Sequence, residues 1–308
     1  MYSTERFQGI VPPVSTILKK DGTLNKDGMA VLIDYLIDAG VHGLFFLGSG
    51  GEFSQMSVTE RMEIAEFVTK YVAKRVPVFI GTGSSSTREA VQLSQHAESI
   101  GADAVVIINP YYWPLTEGNL LTHYGTIAEA INIPIILYNF PNLTGQDLTP
   151  EIVLKLVEQN ENIVGIKDTI DSASHIRDII NTVKSKYPQF LVYAGFDNYL
   201  LPTLSLGGDG AISASANFAP ELSVRLYEAF KEENYKEALE MHKALALIPQ
   251  IYNLDSPFVG VIKEAIKLRG IDVSTFVLPP AQQLDEKRIE ELRGILEELN
   301  ILKPSNNN

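Results

Sequence analysis

Short apolar runs alternate with amphipathic stretches along most of this chain. The runs are Gly9 to Val14, Gly43 to Leu47, Val76 to Ile80, Ala104 to Ile108, Pro134 to Tyr138, Ile163 to Lys167, Phe190 to Ala194 and Gly210 to Ser213. Runs of this length suit strands buried on both faces, which are apolar throughout. Between them, Met29, Leu32, Ile33 and Leu36 follow the i, i+3, i+4, i+7 spacing of one helix face, and Ile64, Ala65, Val68 and Val72 form a second stripe. Helix starts are marked as well: Ser57-Val58-Thr59-Glu60 fits a capping box, and Thr149-Pro150 puts a cap residue before a first-turn proline. Eight strands spaced roughly 20 to 35 residues apart, with helices between, predict an α/β fold of the (β/α)8 TIM barrel type. A doubly wound open sheet would also alternate, but eight strands without a nucleotide fingerprint favour the barrel.

After about Phe230 the alternation stops. Long helical segments follow, at Tyr235 to Ile248, Phe258 to Leu268 and Asp285 to Leu299. The expected organisation is a barrel over residues 1–230 and a C-terminal helical appendage over residues 231–308, packed on it.

Composition narrows the picture. A chain of 308 residues with 45% hydrophobic content can bury a large core, and 22 glycines and 16 prolines are too few for collagen-like or low-complexity architecture. Only the tail from Pro304 to Asn308 reads as disordered. The absence of cysteine removes disulfides, thiolate nucleophiles, iron–sulfur clusters and zinc–thiolate sites, and it fits a reducing, cytoplasmic location. The first residues, Met1 to Arg6, hold no apolar signal core, and no stretch approaches the ~18 apolar residues of a membrane span. The expectation is a soluble, unexported protein without a membrane partner. A net charge of −13 with no basic stripe disfavours nucleic acid. The same charge repels anionic ligands, so any carboxylate must be held by short-range donors such as backbone N–H groups.

In a barrel, the carboxyl ends of the strands build the active site. Lys167 closes one apolar run and Tyr138 closes another about 30 residues upstream. If these are neighbouring parallel strands, about 5 Å apart, an amine and a phenol stand side by side, which suits Schiff-base chemistry. A lysine ending a buried strand can also merely reach water, so the surrounding pattern must decide. Nucleophilic use needs the neutral amine, which an ordinary lysine offers only about once in 2,500 molecules at pH 7. Burial against an apolar core favours that form. Gly165, two residues earlier on the same strand face, leaves space in a crowded interior.

Other strand ends are less specific. Gly48-Ser49-Gly50-Gly51-Glu52 can turn several N–H groups toward a small anion, or be a tight loop. The serines and threonine of Gly81 to Thr87 suit helix capping better than phosphate. Gly207-Gly208-Asp209-Gly210 carries no basic residue, so it makes a poor phosphate site. His42, His96, His123, His175 and His242 are scattered without ligand spacing, so no catalytic metal is expected, and no Gly-x-Ser-x-Gly elbow exists.

At these residues the chain resembles the dihydrodipicolinate synthase and N-acetylneuraminate lyase family of class I aldolases. The resemblance covers nearly the whole chain and rests on Gly48-Ser49-Gly50-Gly51-Glu52, Tyr138-Asn139-Phe140-Pro141, Gly165-Ile166-Lys167-Asp168 and Gly207-Gly208-Asp209-Gly210-Ala211-Ile212-Ser213. It implies that Lys167 forms the imine and Tyr138 moves protons on and off the substrate hydroxyl. Ser49 and Gly50 would meet the pyruvate carboxylate, and Ile212 would line the pyruvyl pocket. Tyr112 matches a family tyrosine that joins a proton relay across a subunit interface, implying a homotetramer. No dissociable cofactor is implied; the partners are keto acid and aldehyde substrates.

Two departures from the family pattern bear on the substrate. Lysine-pathway synthases carry an arginine two residues beyond the tyrosine motif's proline, where this chain has Leu143, and Gly50 replaces a second hydroxyl residue. Both cast doubt on synthase chemistry, and Gly48-Ser49-Gly50-Gly51-Glu52-Phe53-Ser54, Tyr138-Asn139-Phe140-Pro141 and Asp147-Leu148-Thr149-Pro150 instead look like the bacterial 2-keto-3-deoxy-gluconate aldolase branch. The implied activity is reversible cleavage of a 2-keto-3-deoxy sugar acid to pyruvate and an aldehyde. The alternatives are 4-hydroxy-tetrahydrodipicolinate (dihydrodipicolinate) synthase, then N-acetylneuraminate lyase, then a non-catalytic pyruvate-binding barrel.

Overall fold

Eight parallel strands appear where the apolar runs predict them, in a computed structural model that describes residues 3–303. They are β1 (Gly9–Ile10), β2 (Leu44–Phe46), β3 (Val78–Gly81), β4 (Ala104–Ile108), β5 (Ile135–Asn139), β6 (Ile163–Asp168), β7 (Leu191–Ala194) and β8 (Gly210–Ala211). Each strand from β2 to β7 pairs with the next in sequence, and β8 bridges β7 to β1. Closure between β1 and β2 is made just past β1. The Phe45 N–H donates to the Pro12 carbonyl at 3.0 Å, and the Val14 N–H to the Phe45 carbonyl at 2.7 Å. The sequence pattern extends the first strand to Val14. Pro12 and Pro13 have no N–H to offer a ladder, which ends β1 early while their carbonyls and Val14 still seal the (β/α)8 barrel.

The helices are α1 (Lys26–Asp38), α2 (Val58–Val72), α3 (Thr87–Ser99), α4 (Glu117–Ala130), the short α5 (Pro141–Thr144), α6 (Pro150–Gln159), α7 (Ala173–Ile179), α8 (Leu200–Ser205), α9 (Pro220–Lys231), α10 (Tyr235–Leu245), α11 (Val259–Leu268) and α12 (Glu286–Glu298). The predicted stripes of α1 and α2 are buried against the strands. The Ser57–Glu60 capping box forms, the Thr149 side chain accepts from the Ile152 N–H, and the Ser86 side chain accepts from the Glu89 N–H to cap α3. That last bond settles Gly81 to Thr87 as a capping loop.

α10 to α12 form the C-terminal helical appendage. A 3-10 segment, Ile248–Leu254, replaces the end of the first predicted helix, where Pro249 takes an early helical position. Among the described residues, no helix is long and apolar enough to cross a membrane. The expected disordered tail, Pro304 to Asn308, lies outside them.

Candidate active site

β5 and β6 set the site. Their register pairs Tyr138 directly with Lys167, so both side chains leave the carboxyl ends of adjacent strands on the same face. Both are buried. The Lys167 Nζ lies 4.1 Å from the centre of the Tyr138 ring and 5.5 Å from that of Phe45. Among the described residues, no carboxylate lies within ion-pairing distance of this amine. Gly165 creates the needed room, because a Cβ there would approach the Leu191 Cβ to 2.8 Å and the Leu191 carbonyl oxygen to 2.9 Å.

Aromatic neighbours fix the phenol. Phe45 meets the Tyr138 ring edge-on at 6.4 Å, and Phe140 stacks on it at 6.1 Å. The Tyr138 hydroxyl lies 3.3 Å from Ser49 Oγ, a short proton path out of the pair. Ser49 and Gly50 lie in the turn after β2, which is bracketed by two non-glycine residues in the left-handed region, Leu47 at φ 59° and Glu52 at φ 61°. Such conformations cost energy and persist where surrounding structure enforces them. Here Glu52 is the enforcing residue. Its buried carboxylate accepts from Lys263 Nζ at 2.5 Å and from the Leu278 N–H at 2.7 Å, tying the turn to α11 and the segment beyond. Burial pushes the Lys263 ammonium below its ordinary value, and the facing Glu52 charge opposes this.

Lys167, Tyr138, Ser49, Gly50 and Ile212 share one cavity of about 130 Å³. That is roughly ten times the space one water requires, enough for a small organic acid. The wall also contains Phe140, Thr169, Asp197, Tyr252 and Phe258, which the sequence reading did not single out. Thr169 is admitted by Gly195, where a Cβ would fall 1.9 Å from Thr169 Oγ1. Tyr252 and Phe258 come from the C-terminal region, beyond the reach of any local strand-end motif. The Tyr252 hydroxyl donates to Asp197 Oδ2 at 2.6 Å, while the Ser215 N–H donates to Oδ1 at 3.1 Å. Burial first, and then the Asp197 charge, push the Tyr252 phenol well above its ordinary value, so it remains a donor. Lys167 is the one basic side chain of the wall among the described residues.

Two positions lie elsewhere. Tyr112 is 80% exposed and takes no part in the cavity of this single chain. The turn Gly207 to Asp209 precedes β8 and so lies at the opposite end of the barrel. There the Asp209 carboxylate accepts from Lys184 Nζ and the Val192 N–H, a structural tie and not an anion site.

The model of the dihydrodipicolinate synthetase family matches residues 6–299. YagE of Escherichia coli (strain K12), named as a candidate 2-dehydro-3-deoxy-D-gluconate aldolase, is 56% identical over 96% of this chain and 98% of its own length. YjhH of the same organism, a candidate 2-dehydro-3-deoxy-D-pentonate aldolase, is 53% identical over 97% of this chain and 99% of its own. The crystal structure of YagE with pyruvate superposes with a TM-score of 0.95 at 55% identity, covering 96% of this chain and 99% of that one.

Proposed function

The chain belongs to the dihydrodipicolinate synthetase family, and from that premise we propose that it is a class I aldolase. It would cleave a 2-dehydro-3-deoxy sugar acid of the gluconate type reversibly to pyruvate and a hydroxyaldehyde. The observation that carries this reading is the Tyr138–Lys167 pair, a phenol and a carboxylate-free amine side by side in a cavity sized for a small acid.

The Lys167 amine attacks the C2 ketone and water leaves, giving an imine whose protonated form accepts electrons. The Tyr138 oxygen, its own proton passed toward Ser49, takes the proton of the C4 hydroxyl. The C3–C4 bond breaks, its electron pair moves toward the iminium, and the aldehyde departs from an enamine. Protonation at C3 and hydrolysis release pyruvate and restore the amine. The substrate carboxylate would accept from the N–H groups of Ser49 and Gly50, beside Ile212. The Asp197 carboxylate and the Thr169 hydroxyl suit the hydroxyls of the departing aldehyde. The barrel over residues 1–230 would supply the chemistry and the region 231–308 the outer wall.

We place Tyr112 at a neighbouring subunit's site in a homotetramer, consistent with its exposure and that of Trp113 beside it. The cysteine-free composition suits the cytoplasm.

Two observations speak against aspartate semialdehyde as acceptor. Leu143 offers no charge where the lysine-pathway synthases use arginine, and among the described residues the cavity wall carries Asp197 and no cation besides Lys167. Losing a charge-assisted contact to a carboxylate costs several kcal/mol. The expected kcat/KM for 2-dehydro-3-deoxy-gluconate cleavage therefore exceeds that for aspartate semialdehyde condensation by at least about 100-fold. Comparable values would refute this substrate assignment and leave the imine chemistry standing.

A further inference from the structure

The pairing of β5 with β6 is irregular where it begins. Ile135 pairs with Ile163 but Ile136 with Gly165, so Val164 is skipped before the strands run on to Tyr138 and Lys167. A slip of one residue turns every later side chain to the opposite face. The early part of the ladder thus cannot by itself hold Lys167 toward the cavity. Beyond the irregularity the register is carried by the pairs from Ile136–Gly165 to Asn139–Asp168 and by the ladder of β6 with β7, and side chains at the far end of these pairs can hold it there.

Four polar side chains meet there. Asn139 and Asp168, the residues after Tyr138 and Lys167, are paired across the ladder. Asn139 Nδ2 donates to Asp168 Oδ1 at 2.9 Å and to Asp147 Oδ1 at 2.7 Å, and Asn139 Oδ1 accepts from the Leu148 N–H at 3.0 Å. His175, in the first turn of α7, donates from Nδ1 to Asp168 Oδ2 at 2.7 Å, while its Nε2 lies 3.4 Å from Asp147 Oδ2, an ion-pair separation. None of the four contributes to the cavity wall.

We infer that His175 is a positioning residue for the aldol chemistry: by bridging Asp168 and Asp147 it locks the ends of β5 and β6, keeping the Tyr138 phenol against Lys167. The inference rests on the Lys167 and Tyr138 roles proposed above. Without a cation between them, two carboxylates bonded to one Asn139 amide would face each other as like charges, and a buried network that loses a partner tends to come apart. Burial disfavours the His175 charge, but the facing carboxylates of Asp147 and Asp168 outweigh burial and push the imidazole up to about 10. The imidazolium therefore persists at neutral pH. Burial likewise acts on Asp147, yet His175 and Asn139 hold it below its ordinary value.

The test compares wild type, His175→Ala and Asp147→Asn in cleavage of 2-dehydro-3-deoxy-gluconate and in borohydride trapping of pyruvate on Lys167. Imine formation needs the amine, whereas cleavage also needs the phenol at a set distance, so lost positioning separates the two. The kcat for cleavage is expected to fall roughly 10- to 100-fold in His175→Ala and roughly 3- to 10-fold in Asp147→Asn. KM and the final yield of trapped imine should stay within about threefold of wild type. Asp147 is partly exposed, so its variant carries the test if His175→Ala does not fold. A kcat within about twofold of wild type in a folded variant, or a change in KM alone, overturns the positioning role. A wild type that traps no imine on Lys167 overturns the assignment beneath it as well.

Discussion

Two of the described lysines are buried, and their surroundings suit them to opposite uses. Lys263 donates to Glu52 and to the Phe276 carbonyl, so its charge is matched and its amine occupied. Lys167 faces aromatic rings and an open cavity, where a keto acid can reach it. Beside it, Tyr138 is proposed to carry protons and not to form bonds to carbon. Tyr138→Phe is therefore expected to slow cleavage by roughly 10² to 10⁴-fold, the range for losing a general acid/base. Prolonged incubation with pyruvate and borohydride should still label the protein. Turnover close to wild type would remove Tyr138 from the mechanism. This pair was legible in the sequence because each residue closes an apolar run, and strand order makes those runs neighbours. Asp197, Thr169 and His175 were not. The roles proposed for them depend on contacts across loops, and nothing in local spacing marks them apart from other polar residues.

At the scale of elements, apolar runs and cap residues located all eight strands and most helices, since burial and capping act over a few residues. The early end of β1 at Ile10 and the skipped Val164 in β6 arise from pairing, which the apolar runs do not report. The turn after β2 shows the same division. Its motif was readable, but the Glu52–Lys263 pair that holds it spans 211 positions in sequence. Lys263→Met would leave the Glu52 carboxylate buried without its cation, and breaking such a pair typically costs about 3–5 kcal/mol. A clear drop in denaturation midpoint is expected, with Lys263→Met and Glu52→Gln together losing less than Lys263→Met alone. An unchanged midpoint in the single variant would show that the pair does not anchor the turn.

For the whole molecule, the barrel brings the ends of β5 and β6 and the turn after β2 around one cavity, and the C-terminal region closes it with Tyr252 and Phe258. The sequence pattern identified this region as helical but gave no sign that it forms part of the site. In the proposed function, the long-range repulsion set by a net charge of −13 would be met locally by the Lys167 amine and by backbone donors, which is how an acidic protein can hold an anionic acid. Chemistry through a lysine imine has one direct signature. Incubation of the intact protein with pyruvate and borohydride, followed by intact mass measurement and peptide mapping, should give a single reduced adduct located on Lys167. The same treatment should leave Lys167→Arg unlabelled and folded, because arginine keeps the charge but offers no free amine. No adduct, or an adduct on another lysine, would contradict the account.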